Sequence, residues 1–296
     1  MKFVTSLLIG FWGLGSSALA QEGPSVLLPD IREALTLHAA FDTQLHADFA
    51  LGDPALYTVT AKEPERKTVQ GLPPDLPDVV HEPEGGVFGR GYLSFVTGTA
   101  PTIYFRAKKN FAYSESDWEG TISFWLRTTP DEDLVEGYTD PIQITPRSAL
   151  DACLFFEFGI EDPRPCRVGV FADTTSWNPE GKANRDIPLR HRPLITVTDP
   201  PFSRDRWTHV AITFLGFNNG DENGIARLYL DGLPRGDLMS WPQDYTWDLD
   251  KTEVRLGVRY VGGLDELSCF DRALTAEEIA TLFALEQGVR ELREKG

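Results

Sequence analysis

The chain has 296 residues, 41% of them hydrophobic, and a net charge of −17 from 45 Asp+Glu against 28 Lys+Arg. That length supports one large domain, or two small ones, with a substantial apolar core. The acidic excess repels phosphate backbones and anionic lipid surfaces, which argues against nucleic-acid and membrane-surface partners and leaves neutral ligands, divalent cations or no ligand.

Residues 1–20 carry a single charge, Lys2, then an apolar run from Phe3 to Leu14 and the small-residue ending Ala18-Leu19-Ala20. This is the pattern of a secretory signal peptide with an A-x-A cleavage site, too short to be a spanning helix. The expected mature chain starts at Gln21, and with only Lys2 lost its 27 Lys+Arg against 45 Asp+Glu give −18. No later stretch is apolar for long enough to insert into a bilayer, so the expected product is secreted or periplasmic.

Short strand-like segments follow: "LTLHAAF" (35–41), "LYTVT" (56–60), "YLSFV" (92–96), "TIYFR" (102–106) and "TISFWLR" (121–127). Their alternation and their β-branched and aromatic content are those of sheet. Residues 62–86, crowded with Pro and charge, read as a long surface insertion. Seven more strand-like segments continue to Phe270, and a dozen at this spacing predict an all-β, two-sheet antiparallel sandwich or jelly roll. Asp231-Gly232 is the pair favoured in a two-residue hairpin turn.

Cys153, Cys166 and Cys269 are odd in number for an oxidising compartment; a Cys153–Cys166 bridge across a hairpin and three buried thiols are the competing readings. One short C-terminal helix is predicted from Ala276, with Thr275 and Glu278 as a capping box and Leu274 with Ile279 as a hydrophobic staple. Ile279, Leu282 and Phe283 form its apolar face. Residues 287–296 are a charged tail expected to fray.

The last ninety residues, with "RWTHVAITF", "ARLYLDGLPRG", "EVRLGV" and "GGLDELSCFDRALTAEEIATLF" in this order, resemble the laminin G-like, concanavalin A-like jelly roll. "LHAAFD" and "GTISFWLRT" resemble that family's earlier strands. The resemblance implies one jelly-roll domain over 21–286, with surface insertions near 62–86 and 172–192. It implies no single function, because lectins, adhesion domains, glucanases and lyases share the fold.

"ESDWE" (115–119) resembles the carboxylate motif of laminarinase-type glucanases, with Glu115 and Glu119 as the acid pair of a glycoside hydrolase. Ser114, Ser116 and Gly120 instead make the segment a solvated turn, and that reading is preferred. The histidines are scattered, with His209 expected to pack or hydrogen-bond within the sandwich, and no zinc-helix or Cys-x-x-Cys spacing is present. In calcium-binding members of the resembled family, the Asp ending the first strand and the Asp of the late Asp-Glu strand share an ion. The corresponding residues here are Asp42 and Asp265, with Asp48 as a further oxygen donor, and the rival reading has both aspartates accepting backbone hydrogen bonds. Asp265 and Glu266, adjacent on a strand, are expected to point to opposite faces.

Sugar recognition needs aromatic faces flanked by polar groups. Trp177, Trp241, Tyr245 and Trp247 lie in polar loops and are the predicted ligand-binding residues, with lids over a sheet edge as the alternative; Trp125 and Trp207, inside strands, are assigned to the core. The resulting expectation is an exported non-catalytic module that binds a glycan or a cell-surface or extracellular partner. The rivals are a calcium-stabilised adhesive domain and the hydrolase.

Overall fold

A computed structural model describes residues 24–62 and 64–294. The expected signal peptide lies outside the described residues. Seventeen strands form two antiparallel sheets. The first half of the chain supplies β1 (Leu35–Ala39), β2 (Phe49–Ala50), β3 (Leu56–Ala61), β4 (Lys67–Gln70), β5 (Val79–Glu82), β6 (Tyr92–Phe95), β7 (Ile103–Arg106), β8 (Trp118–Arg127) and β9 (Thr139–Thr145). The second half supplies β10 (Cys153–Phe158), β11 (Cys166–Phe171), β12 (Leu194–Val197), β13 (Thr208–Phe217), β14 (Ile225–Leu230), β15 (Leu233–Leu238), β16 (Glu253–Val258) and β17 (Gly262–Phe270).

The first sheet runs β15-β14-β13-β8-β17-β1-β2, with β6 also paired to β17 and β5 to β6. The second runs β12-β11-β10-β9-β16-β7-β3-β4. Alternate residues of each strand face the other sheet. Leu154, Phe156 and Phe158 of β10, Val168 and Val170 of β11, and Phe124 and Leu126 of β8 meet there in one core. The predicted fold class therefore holds, with both sheets and the late hairpin in place. Asp231 and Gly232 join β14 to β15 with φ of 51° and 75°, the positive pair that such a turn demands.

Three of the five described helices close the outer face of the first sheet. The predicted one is α4 below, but three others precede it: α1 (Pro24–Glu33), α2 (Pro130–Asp133) and α3 (Thr174–Trp177). In α4 (Ala276–Ala284) Thr275 accepts from Glu278 N at 3.2 Å, and Glu278 accepts from Thr275 N at 2.8 Å. Leu274 and Ile279, the staple pair, are both buried. The tail expected to fray is instead a short helix, α5 (Arg290–Glu294). Ile31 of α1, Ile279 and Leu282 of α4, and Leu292 of α5 join Ala211, Tyr229 and Phe270 of the sheet in a second apolar cluster. Tertiary burial outweighs the charged composition of the tail. Among the described residues no helix is long and apolar enough to cross a membrane.

The two insertions are structured. Residues 62–86 hold β4 and β5, and residues 172–192 hold α3 and two single 3-10 turns. The second insertion covers part of the outer face of the second sheet. There Cys153, Phe155 and Phe171 point outward and are sealed by Trp177 and Ile187. All three cysteines are free and buried. A Cys153–Cys166 bridge is geometrically excluded, because Cys153 pairs with Phe171 and Cys166 with Phe158 at opposite ends of the β10–β11 ladder. The two thiols also lie in different apolar clusters, one outside the sheet and one between the sheets.

Candidate functional site

Three of the four predicted sugar-binding aromatics are core residues. Trp177 is 8% exposed, donates its indole N–H to Leu150 O at 2.9 Å and meets the Phe171 ring edge-on. Trp247 is 7% exposed, and its N–H goes to Ala152 O at 2.8 Å. Tyr245, 2% exposed, stacks on Phe217, and both Tyr245 and Trp247 pack edge-on against Trp118. Trp177 only edges one small cavity, and Tyr245 and Trp247 only edge another, so each ring is held chiefly by protein. Trp125 and Trp207, expected in the core, are instead half-buried on the outer face of the first sheet, where Phe283 stacks on Trp125 and Tyr92 meets Trp207. His209 packs against Trp125 there and shares a hydrogen bond with Ser123.

Trp241 behaves differently. It is half-buried, and among the described residues it is the one tryptophan without an aromatic neighbour or a hydrogen-bond partner. Its ring lines a cavity of about 610 Å³ at the β12 edge of the second sheet. Strand alternation builds the floor. On β10 and β11 the inward residues enter the core while Glu157 and Arg167 face out, directly opposite each other, and Thr196 of β12 stands opposite Arg167. Leu189, Arg190 and Arg192 come from the 172–192 insertion, Pro163 and Pro165 from the β10–β11 loop, and Leu238 from β15.

The polar groups of this floor are tightly connected. Arg167, 2% exposed, donates to Glu157 Oε1 at 3.3 Å and pairs with Glu161. Burial, reinforced by the charge of Asp140 and opposed by Arg167, pushes the Glu157 carboxyl up to about 8. Burial likewise raises Asp140 to about 7, against a hydrogen bond from Gln143. The row continues across the sheet through Arg255, which donates to Gln143 Oε1 at 3.0 Å and to Glu253 Oε2 at 2.8 Å, to the stacked pair Tyr104 and Tyr57. The Trp241 cavity opens on one end of this polar row, and a smaller one lined by Arg66, Glu253 and Arg255 opens on the other.

A somewhat larger cavity, about 720 Å³, lies by β3 and the 98–102 loop, but no aromatic ring lines it. A volume near 600 Å³ suits a small ligand. An aromatic face with hydroxyls and guanidinium groups beside it suits a sugar, which makes the Trp241 cavity a stronger candidate than the larger one.

A family model described as the concanavalin A-like lectin/glucanases superfamily matches residues 97–280. The chain belongs to that superfamily. No curated protein matches the sequence. Solved structures of similar fold include the botulinum neurotoxin serotype D binding domain, with TM-score 0.53 and 14% identity over 86% of this chain and 52% of that one. The serotype D ligand binding domain in complex with N-acetylneuraminic acid gives 0.52 and 13% over 86% and 52%. The binding domain of Paraclostridial Mosquitocidal Protein 1 gives 0.51 and 13% over the same shares. The chain spans about half the length of these structures, and at such identity the likeness is one of fold.

Membership in a lectin/glucanase superfamily makes the placement of Glu115 and Glu119 informative. Glu115 sits in an exposed turn and lines a cavity of about 390 Å³ together with Tyr113, Tyr245, Trp247 and Asp248. Glu119 is on β8, where its carboxylate accepts from Ala273 N at 3.1 Å at the foot of α4 and does not line that cavity. The buried ring of Trp118 stands between them in sequence, and the two carboxylates do not share a cleft.

Asp42 and Asp265 interact electrostatically, but their surroundings do not fit calcium. Arg90 donates to Asp42 Oδ2 at 3.0 Å, and Arg290 of α5 pairs with the same oxygen. Asp265 accepts from Val87 N at 2.8 Å and Glu266 N at 3.0 Å, and burial raises its carboxyl well above the usual range. Asp48 Oδ2 is taken by Ala40 N at 2.9 Å. Calcium requires six or more oxygens, whereas two guanidiniums already supply the positive charge. Among the described residues no group of three or more His, Cys, Asp or Glu is arranged for a metal.

The expected alternation of Asp265 and Glu266 is broken by a bulge, where Glu266 has φ of 52°. Burial also raises Glu266 well above the usual range, and its Oε2 lies 3.9 Å from His38 Nε2. A Cβ on Gly288 would fall 2.5 Å from that Oε2, so glycine is what lets the tail lie over the bulge and bring Arg290 to Asp42. These acids anchor the C-terminal segment.

Arg167, Arg190, Arg192 and Thr196 were not predicted. A signal for them existed. "LRHR" (189–192) is a basic run in an acidic chain, and Glu157 and Arg167 are charged residues inside otherwise apolar strands on either side of one hairpin.

Proposed function

We propose that this protein is an exported, non-catalytic carbohydrate-binding module whose glycan site is the cavity beside Trp241. The observation that carries the proposal is the half-buried indole with no aromatic or hydrogen-bonding partner of its own, set over a polar floor at a sheet edge. A pyranose ring offers apolar C–H faces to such an indole and a rim of hydroxyls to Thr196, Thr198 and the arginines. A superfamily fold shared with a domain solved in complex with N-acetylneuraminic acid is in keeping with a saccharide ligand. The signal-peptide pattern of residues 1–20 supports export and an extracellular or cell-surface partner.

A glycan array probed with the wild-type protein and Trp241→Ala tests the binding reading. The expected result is a defined set of bound glycans and loss of at least tenfold in affinity in the variant. Unchanged binding by Trp241→Ala would sink it. N-terminal sequencing of exported protein checks the processing, with Gln21 as the expected first residue.

A further inference from the structure

The cavity beside Trp241 is locally cationic in a chain whose net charge is −17. Its ionisable lining consists of Arg167, Arg190, Arg192 and Glu161, three guanidiniums against one carboxylate. Glu157, the other partner of Arg167, holds its proton up to about 8 because it is buried, so at neutral pH it offsets little of that charge.

Each arginine has donor capacity left over. Arg167 is nine-tenths buried or more, and its Nε is a buried donor with no partner. Such a group is costly to leave unsatisfied unless an acceptor reaches it. Arg192 spends Nε and Nη2 on the carbonyls of Ile187 and Asn184, at 2.9 and 2.7 Å, which fixes its head at the cavity wall. Arg190 is exposed and, among the described residues, makes no hydrogen bond or ion pair.

We infer that the glycan taken here is acidic: a sugar bearing a carboxylate or a sulfate, with its ring on Trp241 and its anionic group among Arg167, Arg190 and Arg192. The inference rests on the glycan-binding reading above and deepens it. Guanidinium presents paired N–H donors that match the paired oxygens of a carboxylate or sulfate, and the partly enclosed cavity limits screening of the contact. The surrounding negative field then acts as a filter. It repels extended polyanions and admits an acidic sugar that reaches the arginines.

The test is an array of uronate-containing, sulfated and neutral oligosaccharides, followed by calorimetric titration of the best acidic ligand beside its neutral analogue, a methyl ester for a uronate or the desulfated form for a sulfate. The expected result is at least tenfold tighter binding of the acidic member. Arg190→Gln, an exposed change, is expected to bring the two members within threefold of each other. Preference for uronate or for sulfate identifies the source of the anion, and either supports the inference. Equal binding of the acidic and neutral members, unaltered by Arg190→Gln, overturns the acidic-ligand inference and leaves the glycan reading standing. Absence of binding to every glycan on the array overturns both.

Discussion

Trp177 and Trp241 lie in segments of similar polar composition, "TTSWNPEG" and "SWPQDYT", yet their environments are opposite. Trp177 has its N–H on Leu150 O and its ring against Phe171, and it seals outward-facing apolar residues of the second sheet. Trp241 has neither kind of partner and lines an open cavity. The difference arises from what lies beneath. Under Trp177 the strand residues facing out are Phe155 and Phe171, which need a cover; under Trp241 they are Arg167 and Thr196, which do not.

The contrast is broken most severely by Trp177→Ala. Removing the lid is expected to cost about 3–5 kcal/mol of stability, read as a fall in the midpoint of denaturant unfolding. A loss below about 1 kcal/mol would show that Trp177 is no lid. Next comes Glu157→Gln, which probes the floor. The folded carboxyl titrates near 8 and an unfolded one near 4.5, so the native state holds a proton that the unfolded chain releases between those values. Its contribution is complete below pH 4.5 and is lost as pH rises toward 8, with a slope of at most about 1.4 kcal/mol per pH unit. Glu157→Gln is expected to flatten that fall in stability, and thermal melts from pH 5 to 8 check it. A steeper fall would contradict the assignment.

Trp241→Ala is expected to do the converse of Trp177→Ala. Glycan affinity should drop at least tenfold, about 1.4 kcal/mol, while stability changes by less than about 1 kcal/mol. Thr275→Ala, far from either tryptophan, should cost about 1 kcal/mol through the capping box of α4 and leave glycan affinity alone. The smallest effect concerns metal. Because arginines occupy the acid cluster at Asp42, a chelator is expected to leave the melting temperature unchanged, and a fall of several degrees would restore calcium to the account.

Features set by neighbouring residues were legible in the sequence. The capping box at Thr275 and Glu278, the staple of Leu274 and Ile279, the Asp231-Gly232 turn and the alternation of β10, β11 and β13 are local patterns, and each is present in the structure. Features set by distant contacts were not. Helix α1 contains Pro29 and is held by packing on α4 and α5, and the charged tail is ordered by Leu292 and by Arg290 on Asp42. Burial of Tyr245 and Trp247 depends on Trp118, more than a hundred residues earlier. The lid at Trp177 did leave a trace. "CLFFEF" is apolar on both faces, and a strand of that kind requires cover on both sides. The cavity itself draws on three separate segments, so only its basic run at 189–192 was visible in one dimension.

The most direct measurement is a crystal structure of the protein with the tightest-binding glycan from the array. The expected result is a sugar ring stacked on the Trp241 indole, with its polar groups within hydrogen-bond distance of Arg190, Arg192 or Thr196. A glycan seated instead over Tyr57 and Tyr104 at the other end of the polar row, or away from the second sheet altogether, would contradict it.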